Sequence, residues 1–174
     1  ALKAAIYNYR LSLTSPEEPL ELTSNMLSPG FEDNSKGWVC NGFSPQSNDA
    51  FELKEGTYYC EIWSGWGNVA DGDIHQIVEL PNGNYQLTVL AQNIQESNKA
   101  IPQKGAYVYA NNARKELSLT GKYTLDFVVV DNQAKIGVNT IGCTGNKVSI
   151  DDFHIYYTGF DTRRRSAVGV STAC

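Results

Sequence analysis

The sequence predicts an all-β domain, a two-sheet antiparallel β-sandwich of jelly-roll type behind one short N-terminal helix. Three observations carry this expectation. Short runs alternate apolar and polar residues from Leu20 to Tyr157. Clusters of Gly, Asn, Asp and Pro separate the runs, and no stretch in that interval keeps the 3.6-residue spacing of a helix. About eight strands of this length and spacing fill two packed sheets.

The elements follow in order. Leu2, Ile6, Tyr9 and Leu13 recur at helical spacing, with Ala4 and Ala5 favouring helix. Ser15-Pro16-Glu17-Glu18-Pro19 ends that helix, because proline lacks the N–H that would continue it. One apolar stripe this short needs a partner. It packs either on the sandwich or in a preceding domain, and residues 1–19 are read as the end of an upstream domain. Ala50–Leu53, Tyr58–Ile62 and Asp73–Leu80 read as strands. Pro81-Asn82-Gly83-Asn84 then reads as a hairpin turn, since Asn and Gly accept positive φ. Tyr85, Leu87, Val89 and Ala91 share one face of the next strand. Gly105–Ala110 follows, then Tyr123 to Val129, a turn at Asp131-Asn132, and Ala134 to Val138.

The last strand runs from Lys147 to Tyr157 and carries a phase switch. Val148 and Ile150 set one alternation, while Phe153, Ile155 and Tyr157 set the other. A slip of one residue at Asp151-Asp152 predicts a β-bulge. The sandwich is thus bounded at 20–158, with 159–174 as a flexible tail.

Composition narrows the function. The chain has 174 residues and a hydrophobic content of 41%, enough for one domain with a sizeable core. Only 19% of residues are charged and the net charge is −5. The one basic cluster, Arg163–Arg165, lies in the tail. Nucleic acid, which needs many Lys or Arg contacts to phosphate, is therefore rejected as a partner. No apolar run approaches the roughly 20 residues of a membrane-spanning helix, so no membrane insertion is expected. The chain opens on Ala1 rather than on Met and is read as a segment of a larger protein. Cys40, Cys60, Cys143 and Cys174 fit no zinc spacing. Cys40 and Cys60 stand either as a disulfide or as free thiols, and Cys174 is expected to be unpaired.

Three segments carry a family resemblance. Asn25-Met26-Leu27-Ser28-Pro29-Gly30-Phe31-Glu32 with Gly37-Trp38 is similar to the opening of galactose-binding-like jelly-roll modules. Asp73 to Val78 followed by Leu80 to Leu87 resembles their central hairpin, and Val148 to Tyr157 resembles their closing strand. Together they frame residues 25–157. Modules of this kind are attached to secreted glycoside hydrolases of Bacteroidetes type, and the Leu2–Leu22 lead-in resembles the end of a helical region upstream of them. The resemblance implies a polysaccharide or oligosaccharide ligand and a parent protein with other domains. It also implies a secreted, periplasmic or cell-surface location. Finally, it implies a structural calcium ion held by Glu32 and Asp151, with Asp152 as the alternative to Asp151. Calcium takes six to eight oxygens from carboxylates and carbonyls, which suits such residues.

Sugar binding needs flat apolar surface beside amides and hydroxyls. Trp66 sits between Gly65 and Gly67 in a polar loop and is expected to be the exposed platform. Trp63 is placed first in the core and second as a flank of that platform. Trp38 is expected to be packing. Tyr107 and Tyr109 share a strand face and are either outer-sheet flanks or cross-strand packing. Asn93, Gln95 and Asn139 are candidate hydroxyl-binding amides. His75 and His154 read as surface residues, and no nucleophile elbow, zinc-protease helix or phosphate loop occurs. The expected function is therefore binding without catalysis, with a ligand-free spacer as the runner-up and a small glycoside hydrolase behind it.

Overall fold

The computed structural model describes residues 2–160, so Cys174 and Arg163–Arg165 lie outside the described residues. Helix α1 spans Leu2–Ser12. Strands follow at β1 Leu20–Glu21, β2 Val39–Asn41, β3 Ser44–Gln46, β4 Tyr59–Trp63, β5 Gly72–Glu79, β6 Gly83–Ile94, β7 Ala106–Ala110, β8 Ala113–Leu117, β9 Gly121–Val129, β10 Gln133–Thr140 and β11 Lys147–Gly159. They form two antiparallel sheets of a jelly-roll sandwich. One is ordered β3-β4-β11-β6-β9, with β1 also on β11, and the other is ordered β2-β5-β10-β7-β8.

The alternation predicts which side chains fill the space between the sheets. Tyr85, Leu87, Val89 and Ala91 of β6 face Ile74 and Val78 of β5 and Ala134, Ile136 and Val138 of β10 across one continuous core. Burying each large aliphatic or aromatic residue stabilises by about 1.5–3 kcal/mol. β11 is the spine of the first sheet. Its first half pairs with β4 and its second half with β1, while β6 runs along its other side. The register slips between Asp151 and His154, where the bulge was expected, and Asp152 takes φ +54°. The slip keeps Val148 and Ile150 inward before it and Phe153, Ile155 and Tyr157 inward after it.

The opening segment docks on that bulge. Phe31 and Trp38 stack with centroids 5.3 Å apart, and Trp38 lies 5.2 Å from Phe153. The Phe153 N–H donates to the Pro29 carbonyl at 3.0 Å. Gln76, buried in β5, grips the same segment at both the N–H and the carbonyl of Leu27. Trp38 is packing, as expected.

Two expectations need correction, at Ala50–Leu53 and at Asn82-Gly83. Ala50–Leu53 is a loop, not a strand. Its alternation reflects one anchor, Phe51, whose ring lies 5.6 Å from that of Tyr59. The turn at Asn82-Gly83 exists, but it is no hairpin, because β5 and β6 belong to different sheets. Gly83 has φ +145°, and a Cβ there would meet the Tyr157 ring. The turn carries the chain over the edge of the core, so that β5 and β6 face each other rather than pair. Cys40, Cys60 and Cys143 are free thiols, with Cys40 exposed on β2 and Cys60 buried on β4 of the other sheet. Burial pushes the Cys60 thiol up. Helix α1 touches the sandwich through Tyr7 and Leu11, while Ile6, Tyr9 and Leu13 stay exposed. No helix among the described residues is long and apolar enough to cross a membrane.

Candidate functional site

Three loops meet at one end of the sandwich: 64–71 after β4, 95–105 after β6 and 141–146 before β11. Asn146 joins them. Its side-chain N–H groups donate to the Ser64 carbonyl (3.3 Å) and to Glu96 Oε1 (3.2 Å), and its Oδ1 accepts the Glu96 N–H at 2.8 Å. Gln95 Nε2 donates to Asn68 Oδ1 and to the Thr144 carbonyl. The Val69 N–H reaches the Gly145 carbonyl, and the Gly142 N–H reaches Asp71 Oδ1.

Two tryptophans stand on this base. Trp66 is 95% exposed. Its backbone is clipped on both sides by Ser64, whose hydroxyl donates to the Trp66 carbonyl and accepts the Trp66 N–H. Gly67 at φ +71° lets the chain turn away directly after it. Trp63 is 55% exposed, which corrects its expected place in the core. Along β4, Cys60 and Ile62 point inward, while Tyr59, Glu61 and Trp63 point to the other side. The 47–58 segment covers Tyr59, which reaches Asn48 Oδ1 and Glu61 Oε2. Glu61 is paired in turn with buried Lys147. Trp63 lies past that cover and emerges. Its Nε1–H donates to Glu96 Oε1 at 2.5 Å, and its ring lies over Gly65, where a Cβ would stand 3.2 Å from ring carbon Cη2. Sequence reasoning missed Glu96 and Asn146, because their roles arise only when the loops close.

Tyr107 and Tyr109 share the outer face, one of the two expected alternatives, and Asn139 lies on it beside them. Asn139 pairs with Tyr107 and Asp73, and Gly137 pairs with Tyr109 and His75, on the outer side of the second sheet. That face is not part of the tryptophan platform, whose Trp63 belongs to the first sheet. The Tyr109 hydroxyl donates to Asp73 Oδ1 at 2.7 Å, and His75 Nδ1 meets Asp73 Oδ2 at 2.5 Å. Burial and the Asp73 carboxylate push the Tyr109 phenol up. Tyr109 leans over Gly137, where a Cβ would stand 2.7 Å from its hydroxyl. The Arg114 guanidinium lies 4.3 Å above the Tyr107 ring. Asn93 is buried behind the loops and donates to the Leu117 carbonyl, which removes it as a surface amide.

The expected metal residues divide. Asp151 is fully buried at the bulge, where its oxygens accept the N–H groups of Glu55 and Asp152 at 2.8 Å each. Burial raises its carboxyl to about 7, with Asp152 and Glu32 adding to the rise and the two N–H donors opposing it. Glu32 accepts the N–H groups of Thr57 and Tyr58 at 3.0 Å. Asp152 turns away to His154 Nε2 at 2.9 Å, and the other imidazole nitrogen meets Glu21 at 2.6 Å. Burial lowers the His154 pKa, but Glu21 and Asp152 outweigh it and raise it. Among the described residues no group of three or more His, Cys, Asp or Glu is arranged to hold a metal ion. Glu32 and Asp151 fit a hard cation as two oxygen donors, and carbonyls would have to supply the rest.

No family model and no curated protein matches the chain. Solved structures do match its fold. The carbohydrate-binding module TmCBM61, solved with β-1,4-galactotriose, is 20% identical at a TM-score of 0.60, covering 76% of this chain and 97% of that one. The CBM22-1 xylan-binding domain of Paenibacillus barcinonensis Xyn10C is 12% identical at 0.54, covering 78% and 95%. A cyclase from Fischerella sp. TAU, solved with 4-(1H-indol-3-yl)butan-2-one, is 14% identical at 0.58, covering 82% and 100%. At these identities the likeness shows the jelly-roll fold, which carbohydrate-binding modules and cyclases both use.

Proposed function

We propose that this chain is a non-catalytic carbohydrate-binding module that holds a larger, secreted polysaccharide-acting protein on its glycan. The observation that carries the reading is Trp66, an almost fully exposed indole on a hydrogen-bonded loop base, beside Trp63 and Glu96. An exposed indole is apolar surface without a partner, and a pyranose C–H face would cover it. Glu96, Asn68 and Gln95 supply polar groups at the rim for sugar hydroxyls. In this reading α1 is the end of a preceding domain, with Ile6, Tyr9 and Leu13 facing it. Calcium, if held, sits on Glu32 and Asp151 and supplies charge neutralisation at the bulge. Affinity electrophoresis through gels containing neutral polysaccharides tests the reading. The unmodified chain should be retarded and Trp66→Ala should not. A chain retarded by no polysaccharide turns the reading to the spacer.

A further inference from the structure

We infer that Glu96 makes the tryptophan platform selective for uncharged glycans and excludes chains whose sugars carry carboxylate or sulfate groups. The inference rests on the binding reading above and deepens it. Glu96 is held at two points by Asn146, through its N–H and through Oε1. Oε1 also takes the Trp63 indole N–H. The carboxylate is thus fixed at the edge of the Trp63 ring. Among the described residues no donor reaches Oε2, and no Lys, Arg or His forms an ion pair with Glu96. Lys147, opposite Trp63 in register, has its ammonium committed to Glu61 beneath the surface. Asp71 adds a second negative group to the same loops, while Lys99 and Lys104 lie further along the 95–105 loop without a carboxylate partner.

An ionised carboxylate only accepts hydrogen bonds. Oε2 can therefore receive a sugar hydroxyl proton, whereas a uronate or sulfate offers it no donor and brings a like charge. Two like charges about 5 Å apart at a partly solvated surface repel enough to weaken binding by on the order of tenfold, and salt screens the effect.

The test uses β-1,4-galactan, β-1,3-1,4-glucan and their C6-oxidised derivatives, which keep each backbone and add carboxylates. The unmodified chain should bind the retained neutral polymer at least about tenfold more tightly than its oxidised form, with a ratio that falls as salt rises. Glu96→Gln keeps an acceptor oxygen for Trp63 and Asn146 but turns a neutral amide NH2 donor toward the ligand. It should weaken binding of the neutral polymer and bring the ratio close to one, with an unchanged melting temperature. An oxidised polymer bound as tightly as the neutral one, or a ratio unchanged in Glu96→Gln, overturns the inference. If that happens while Trp66→Ala still abolishes retention, only the selectivity falls. If neither neutral polymer is retained, the inference and the binding reading fall together.

Discussion

The two aromatic surfaces of this sandwich use their rings differently. On the outer face of the second sheet, Tyr109 spends its hydroxyl on Asp73 and covers Gly137, and Tyr107 carries Arg114 on its ring. At the loop end, Trp66 is held only by its backbone, and Trp63 uses its N–H while more than half of its surface stays open. The tyrosines complete their own sheet. The tryptophans offer apolar area that nothing in the fold covers. The difference shows that position on an outer face does not decide whether a ring is left uncovered; what its neighbours supply does.

Substitutions can break or sharpen this contrast. The largest stability loss is expected at the covered part of β4. Lys147→Ala leaves Glu61 buried without its partner, and denaturant unfolding should report a loss of about 3–5 kcal/mol. Next comes the tyrosine face. Gly137→Ala drives a methyl group into the Ile74 carbonyl oxygen and the Tyr109 hydroxyl and should lower stability by about 1–3 kcal/mol. Tyr109→Phe removes one hydrogen bond to Asp73 and should lower it by about 1 kcal/mol. Neither change on the tyrosine face should alter glycan retention in an affinity gel. If retention is lost there with the fold intact, the contrast is drawn on the wrong face.

The bulge gives a pH test. The Asp151 carboxyl is raised to about 7 in the folded chain, far above its usual carboxylate value. The folded state then holds the proton where the unfolded state has released it. Without a bound cation, stability should fall as pH rises from about 4 through 7. Asp151→Asn should flatten that slope in melting curves. Added calcium should raise the melting temperature above pH 7 in the unmodified chain and not in the variant. A flat profile in both, with no response to calcium, rejects the cation reading of Glu32 and Asp151.

How much of this was legible follows from which forces are local. The phase switch in β11 was readable because every core residue on both sides of it is apolar and the period is two. Trp66 was readable because glycines on both sides leave an indole uncovered. Trp63 was misplaced because its exposure depends on how far the 47–58 segment reaches along β4, which alternation does not encode. The Asn82-Gly83 turn was found, but a turn signal says that the chain reverses, not which sheet receives it. β8, Ala-Arg-Lys-Glu-Leu, has too little apolar alternation to announce a strand, and it forms by pairing with β7. The link between Trp63 and Glu96 spans 33 residues and exists only once three loops have closed.

The smallest expected stability effect carries the largest functional one. Trp66 touches almost nothing, so Trp66→Ala should change stability by less than about 0.5 kcal/mol. The direct measurement is paired calorimetry of the unmodified chain and Trp66→Ala against the neutral polysaccharide that the unmodified chain retains, with a melting curve for each protein. The account predicts overlapping melting curves and no measurable binding by the variant. Overlapping curves with undiminished affinity would contradict it, and would place the ligand on a surface other than the loop-end tryptophans.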